Sequence, residues 1–279
     1  MGSLETDDLY LHDVPAANPD APVEIHPTAL IAKGAELGRG VRIGPYCVVG
    51  PKVVIGDNVH LHSHVTVDNR VTIGARTVVH PFATLGVIPQ DLKFKGEDTE
   101  LIIGEENSLR QYVNMSIGTE GGGGRTVTGR RNLFMVYAHV AHDCILSDNV
   151  VLVNSVSLGG HVVVAERAFI GGHSAVHQFC RIGARAMVGG GSMVVQDVPP
   201  FTMVQGDRAV PIGLNVVGLR RAGFTAEALR DLKTMYRLLY SEGLTVEDCV
   251  KRIEDEVPAS PHRQEFVQFL RSTGRGVCR

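Results

Sequence analysis

The sequence predicts a mainly β chain, a parallel β-helix built from hexapeptide repeats and followed by a small C-terminal α-helical domain. Three observations predict it. An aliphatic residue recurs at every sixth position through two long runs, two charged or glycine-rich segments interrupt that period, and beyond Pro199-Pro200 it gives way to capped, amphipathic segments. A period of six matches neither the 3.6-residue turn of a helix nor the simple alternation of a strand. It suits a short strand and a tight turn repeated as the flat sides of a solenoid, three sides of six residues making a coil of eighteen.

In chain order, residues 1–22 read as a flexible acidic leader, because a signal peptide begins basic and then turns apolar. Gly2 and Thr6 fit a myristoylation pattern that is short enough to occur by chance. The β-helix is predicted over 23–204. Its first run begins Ile25, Ile31, Leu37, Ile43 and continues to Leu85; its second begins at Phe134 in a new phase and continues to Val194, with Ile103, Leu109 and Met115 between them. Loops are predicted near 86–102 and 116–126, where "GVIPQDLKFKGEDTELI" and "SIGTEGGGGRT" carry Pro, charges and a glycine run. Glycine after the aliphatic position, as in Ile43-Gly44 and Ile170-Gly171, is expected where the chain turns. Cys47, Cys144 and Cys180 fall four residues after aliphatic positions and are predicted to be small core residues. A helical domain follows over 205–279. Thr225 and Thr245 are expected to cap helices, Ser260-Pro261 to open another, and Leu229, Leu232 and Tyr236 to form a stripe. It is expected to cover the end of the prism.

Composition removes several classes of function. With 279 residues, 44% of them hydrophobic, the chain can bury a core. A net charge of −3 without a basic block gives no reason to expect nucleic-acid binding. Five cysteines without a C-x-x-C pair point to reduced thiols and a cytoplasmic location. No apolar run is long enough for stable membrane insertion.

The stretch "VYAHVAHDCIL" carries the chemistry. His139 and His142 bracket Val140, an inward position, so both are predicted on the outer surface of a coil, followed directly by Asp143. Asp143 precedes His161 by eighteen residues, so the two should stack on successive coils. Imidazole has a pKa suited to general base chemistry, and an adjacent carboxylate can fix its tautomer. The run "HLHSH" raises the question of a metal site at His60, His62 and His64, but alternating residues need not converge on one point. It reads as a surface ladder, and no metal site is assigned.

The segments "IHPTALI", "PQDLKFKGE", "AHVAHDC", "GGHSAVHQFCRIG", "AMVGGGSMVVQDVPP" and "LNVVGLRRAGF" together resemble the left-handed β-helix acyltransferases, specifically the UDP-N-acetylglucosamine acyltransferase family, from about His26 onward. The resemblance implies the left hand, which the usual crossover preference would oppose. It also implies a homotrimer with active sites between neighbouring prisms. The implied reaction transfers a 3-hydroxyacyl group from acyl carrier protein to the 3-hydroxyl of the glucosamine ring of UDP-N-acetylglucosamine, the first step of lipid A biosynthesis. No cofactor is implied beyond the phosphopantetheine of acyl carrier protein.

Carried over residue by residue, the resemblance makes His142 the general base, Asp143 its orienting carboxylate and Gly160 the source of an oxyanion-binding N–H. Gln90, Asp91, Lys93, His139, His161, His177 and Gln178 fall to the sugar and diphosphate, Asn215 and Arg221 to the nucleotide, Met187 and Gly190 to the acyl chain. Arg181, Arg185, Arg208, Arg220 and Arg221 are the expected landing site for the acidic carrier protein. Val217 and Ala222 stand where the family has a glutamate and a second arginine, and Ser116 where it often has a histidine. These departures leave open a 3-amino sugar nucleotide as acceptor. An N-acyltransferase of the same pathway is a second alternative, although such enzymes carry an extra domain before the β-helix. A carbonic-anhydrase-like metal site or a structural solenoid is the third.

Overall fold

A computed structural model describes residues 12–18 and 20–279. The myristoylation pattern at Gly2 and Thr6 lies outside the described residues. From Glu24 to Val194 the chain forms strands of two to four residues that visit three sheets in turn, giving a left-handed parallel β-helix with three faces. One coil shows the order: Leu133–Phe134 lies on face A, His139–Val140 on face B and Ile145–Leu146 on face C. His139 pairs with Ser157 and Val140 with Leu158, in parallel, so residues eighteen apart are neighbours.

The inward aliphatic side chains stack into one continuous core. Leu61, Val140, Leu158 and Val188 lose essentially all contact with solvent, each such burial favouring the fold by roughly 1.5–3 kcal/mol. Cys47, Cys144 and Cys180 lie in the same core, as predicted. Burial pushes the Cys144 thiol up to about 12, which leaves it unreactive.

The corners divide their work in a way that the glycine pattern did not predict. The residue that turns with φ near +60° is the third after the inward aliphatic, and it is seldom glycine: Tyr137, Asp143, His161 and Phe179 all adopt it. The glycines directly after the aliphatic position serve close approach between coils. A Cβ on Gly171 would lie 2.5 Å from the Gly190 nitrogen.

Both inserted loops are shorter than predicted. Glu100–Ile103 pairs with Arg70–Ile73 on one side and with Arg125–Thr128 on the other, so the loops run only over 88–99 and 117–124. Leu101 and Ile103 both point into the core, and their burial draws this segment back into face C. The leader is also less free than its composition suggested. Asp13 accepts hydrogen bonds from His80 at 2.5 Å, Ser108 at 3.0 Å and Arg110 at 3.0 Å. Burial would raise its carboxyl, but the bonds from His80 and Ser108 prevail and hold it at about 2.

The histidines of "HLHSH" do not converge. The His60 and His62 rings lie 4.1 Å apart and tilted, His62 stacks on His80 at 4.7 Å, and His64 belongs to a separate ladder between Tyr46 and Phe82.

Beyond the last coil the chain first extends the sheet. Thr202–Gln205 continues face A beside Met187–Val188, and Val210–Leu214 pairs with it antiparallel, so the C-terminal region opens with a strand. Four helices follow: α1 (Val216–Arg221), α2 (Ala226–Tyr240), α3 (Val246–Glu256) and α4 (Pro261–Arg271). Thr225, Thr245 and Ser260 cap α2, α3 and α4 through their hydroxyls, as predicted. Leu229 and Leu232 are buried, but Tyr236 is only half-buried because Met235 and Leu239 take the inward stripe. The tail then returns to the prism. The buried Asp197 carboxylate accepts from the Arg181 backbone N–H and from the Thr273 hydroxyl, and Cys278 N–H donates to the Asp197 carbonyl.

Burial holds the His60 imidazole down at about 4, and it lowers His62 as well. The folded chain therefore binds fewer protons than the unfolded chain between pH ~4 and ~6.5, and its stability should rise with pH across that window and fall as pH drops through it. Urea unfolding at pH 5 and pH 7 should show the difference, and His60→Asn should flatten the slope between them.

Candidate active site

The site grows from one corner, where face B passes into face C. Its columns follow the eighteen-residue stack: His142 beneath Gly160 and Gln178, Asp143 beneath His161 and Phe179. His142 Nδ1 donates to Asp143 Oδ2 at 2.8 Å, and the His142 side chain is only 12% exposed. The surface location predicted for it is therefore sheltered. With Nδ1 carrying the proton, Nε2 keeps its lone pair and faces Gly160. A Cβ at Gly160 would sit 2.5 Å from His142 Cε1 and 2.7 Å from Nε2, so only glycine admits the ring here. The Gly160 N–H meets no acceptor among the described residues.

Asp143 is wholly buried yet fully engaged. Oδ1 accepts from Thr119 N–H at 2.8 Å; Oδ2 accepts from the Thr119 hydroxyl at 2.6 Å as well as from His142. Its own N–H donates to Thr126 Oγ1 at 2.9 Å, fixing the corner. His161 Nε2 lies 3.7 Å from Oδ2, its ring edge-on to His142 and stacked on Phe179. Burial lowers the His161 pKa despite the facing carboxylate, and Asp91 comes close enough from its loop to act on the same imidazole. His139 Nδ1–H donates to Asn114 Oδ1 at 2.8 Å; burial, then the neighbouring His142, lowers its pKa. In both rings burial favours the neutral form.

The ligand atoms of His142, Asp143 and His161 lie within 4.8 Å of one another, the only group among the described residues so arranged. The carboxylate already spends both oxygens on Thr119 and His142, which fits a hydrogen-bonded dyad.

Further along this corner, His177 Nδ1–H donates to the Gln178 carbonyl at 3.0 Å, and both side chains are exposed. His177 then borders a recess of about 420 Å³ with Gln196, Arg208 and Arg275. In the first loop Asp91 Oδ1 accepts from the Lys93 N–H, while the Gln90 and Lys93 side chains are exposed. Leu92 between them projects wholly into solvent.

The remaining predicted site residues lie elsewhere. A cleft of about 630 Å³ runs between face A and α1, floored by Val151, Phe169, Met187 and Met203 and bordered by Asn215 and Arg221. Asn215 has both ends of its amide in use: it accepts from Gly218 N–H to cap α1 and donates to the Arg185 carbonyl. Gly190 sits at the corner between faces A and B. Its φ is ordinary, and an added Cβ would meet the Gly172 carbonyl oxygen at 3.3 Å and its nitrogen at 3.9 Å, so the turn belongs to Gly191, with φ +69°. Ser116 is buried at the end of its strand, between the core residues Met115 and Ile117. The basic surface also differs from the expected one. Arg181 bonds to Ser272 and lies over the Phe269 ring at 4.4 Å, and Arg185 is paired with Glu166 at 3.9 Å. Arg208, Arg220 and Arg221 remain exposed, and Arg275 joins them.

Sequence reasoning missed Thr119, Thr126 and Asn114. Thr119 lies twenty-four residues before Asp143, and the inserted loop between them breaks the period that would have aligned the two.

A sheltered imidazole with a buried carboxylate behind it, on a hexapeptide-repeat β-helix, defines a hexapeptide-repeat acyltransferase. Residues 52–86 match the bacterial transferase hexapeptide model, and residues 197–278 match the second domain of UDP-N-acetylglucosamine O-acyltransferase. The acyl-[acyl-carrier-protein]–UDP-N-acetylglucosamine O-acyltransferase of Halorhodospira halophila is 49% identical over 91% of this chain and 99% of its own, and that of Aliarcobacter butzleri 47% identical over 91% and 97%. LpxA from Acinetobacter baumannii superposes with a TM-score of 0.90 at 39% identity, over 91% of this chain and 99% of that one. The chain belongs to the acyl-[acyl-carrier-protein]–UDP-N-acetylglucosamine O-acyltransferase family.

Proposed function

We propose that this chain transfers a 3-hydroxyacyl group from acyl carrier protein to the 3-hydroxyl of UDP-N-acetylglucosamine, the first step of lipid A biosynthesis, with His142 as general base. The observation that carries the base assignment is the hydrogen bond from His142 Nδ1–H to the buried Asp143 carboxylate, which leaves Nε2 free beside Gly160. Nε2 takes the proton of the sugar hydroxyl as its oxygen attacks the thioester carbonyl. The Gly160 N–H meets the tetrahedral oxyanion, and Asp143 stabilises the imidazolium. Collapse of the intermediate expels the phosphopantetheine thiolate, which takes the proton back from the imidazolium. No step calls for a cofactor of the protein's own.

We read the active unit as a homotrimer, because one chain keeps the halves of the site apart. The base lies at the corner of faces B and C, while the apolar cleft lies on face A beside the corner with face C. If face A of one chain packs on face B of the next, the interface is heterologous and closes into a ring. The base of one chain then stands opposite the cleft of its neighbour. The corner of faces A and B would fall on the three-fold axis. That corner carries the stacked ladder Tyr46, His64, Phe82, Tyr112 and Tyr137, largely exposed in the single chain, and such a stripe favours a covering partner. An acyl chain entering beside His142 would cross Phe169 and Met187 toward Gly190. Among the described residues no helix could cross a membrane, and all five cysteines are buried free thiols, which suits the cytoplasm.

His142→Ala should keep fold and assembly while losing activity by roughly a hundred- to ten-thousandfold; a rate above a tenth of wild type would remove the base assignment. Gly190→Met, tolerated by the ordinary backbone there, should shift kcat/KM toward shorter donors, with each excluded methylene worth up to about 0.8 kcal/mol. A uniform loss across donor lengths would count against the ruler. Arg208→Glu with Arg220→Glu should raise KM for the carrier-bound donor and weaken its salt dependence. Unchanged kinetics with both donor and salt varied would place the docking surface elsewhere.

A further inference from the structure

The glycine-rich loop over 117–124 does more than bridge two coils. Its backbone is tied down at Ile117 N–H to Val87 O, at Gly118 N–H to Glu100 O, and at Gly124 N–H back to Thr119 O, all within 3.1 Å. The Thr99 hydroxyl adds a bond to the Gly118 carbonyl at 2.5 Å. Thus fixed, the loop presents both donors of Thr119 to the Asp143 carboxylate, one to each oxygen. Gly122 then closes over that carboxylate so tightly that any Cβ would overlap its atoms, although the Gly122 φ is one an L residue accepts. The side chain held this way has two imidazoles within reach, His142 at 2.8 Å and His161 at 3.7 Å from the same oxygen.

We infer that Thr119 is a positioning residue, with Gly122 as its backstop: the loop clamps Asp143 so that Oδ2 serves His142 and not His161. This rests on His142 being the base. Free of the clamp, a carboxylate can rotate toward His161, and the imidazole it abandons loses the tautomer and orientation that proton abstraction needs. Displacements near 1 Å at such a group suffice for about a hundredfold in rate.

The test uses the full-length enzyme labelled with ¹⁵N-histidine. Thr119→Val should lower kcat roughly ten- to hundredfold with KM for the sugar nucleotide nearly unchanged. The downfield His142 Nδ1 proton should broaden or disappear. Thr119→Ser, which keeps both donors, should restore kcat and resonance. Gly122→Ala leaves Thr119 intact and should mimic the valine variant, so a Thr119→Val protein that failed to fold would not end the test. A Gly122→Ala or Thr119→Val enzyme with wild-type kcat and an unshifted Nδ1 proton would overturn the clamp. His142→Ala is assayed alongside: if it retained activity, the base assignment would fail by itself, whereas a dead His142→Ala beside fully active loop variants would reject only the clamp.

Discussion

Each coil must turn three times, and in most turns one residue has to enter the left-handed region of backbone space. Few of these are glycine; the coil containing the site spends the conformation on Tyr137 and Asp143. An ordinary L residue there costs roughly 1–2 kcal/mol, and the structure offsets it with a backbone bond at most corners, such as His161 N–H to the His142 carbonyl at 3.0 Å. The geometry makes corner residues eighteen apart stand in columns. Asp143, His161 and Phe179 are such a column, so the relation between carboxylate and second imidazole follows from the same constraint that closes the prism.

The constraint also explains why a buried carboxylate can exist there. A corner with fixed backbone cannot swing its side chain out to water, and a lone buried charge would be costly. Asp143 is instead met by the Thr119 N–H, the Thr119 hydroxyl and the His142 imidazole. The loop that supplies two of those donors exists only because the six-residue period is interrupted between faces B and C. Interruption and site are thus one device: regular coils set the histidines in register, and the irregular loop brings the groups that hold the carboxylate.

The regular part was legible in the sequence because inward stacking leaves a periodic trace. The two aliphatic runs gave the coil, Thr225, Thr245 and Ser260-Pro261 gave the helix starts, and the eighteen-residue interval gave the approach of Asp143 and His161. What escaped was set by contacts without a period. Residues 100–102 looked like loop because of their charged flank, yet buried Leu101 returns them to the sheet ahead of the expected inward Ile103. Asp13 sat in a stretch whose composition reads as free chain, and a three-donor pocket formed by two adjacent coils captures it. Arg181 appeared available for a partner until the returning tail took it through Ser272 and Phe269.

A solenoid also limits where a site can form. Its faces are flat or convex, and no single face encloses a substrate. Here the apolar strip that suits a fatty chain, Val151, Phe169, Met187 and Met203, is walled on one side by the Leu214–Ala222 segment and open on the other. His142 does not lie on the open side of the same chain, because the whole of face C separates its corner from the cleft. In the proposed three-fold packing of triangular prisms, the corner of faces B and C meets the neighbour's corner of faces C and A three times over, with faces A and B covered and face C left to solvent. Chemistry and the proposed assembly ask the same geometry of the chain: a coil rigid enough to set one imidazole against a backbone N–H is too regular to enclose an acyl chain, and in the proposed trimer a neighbouring chain would supply the missing wall.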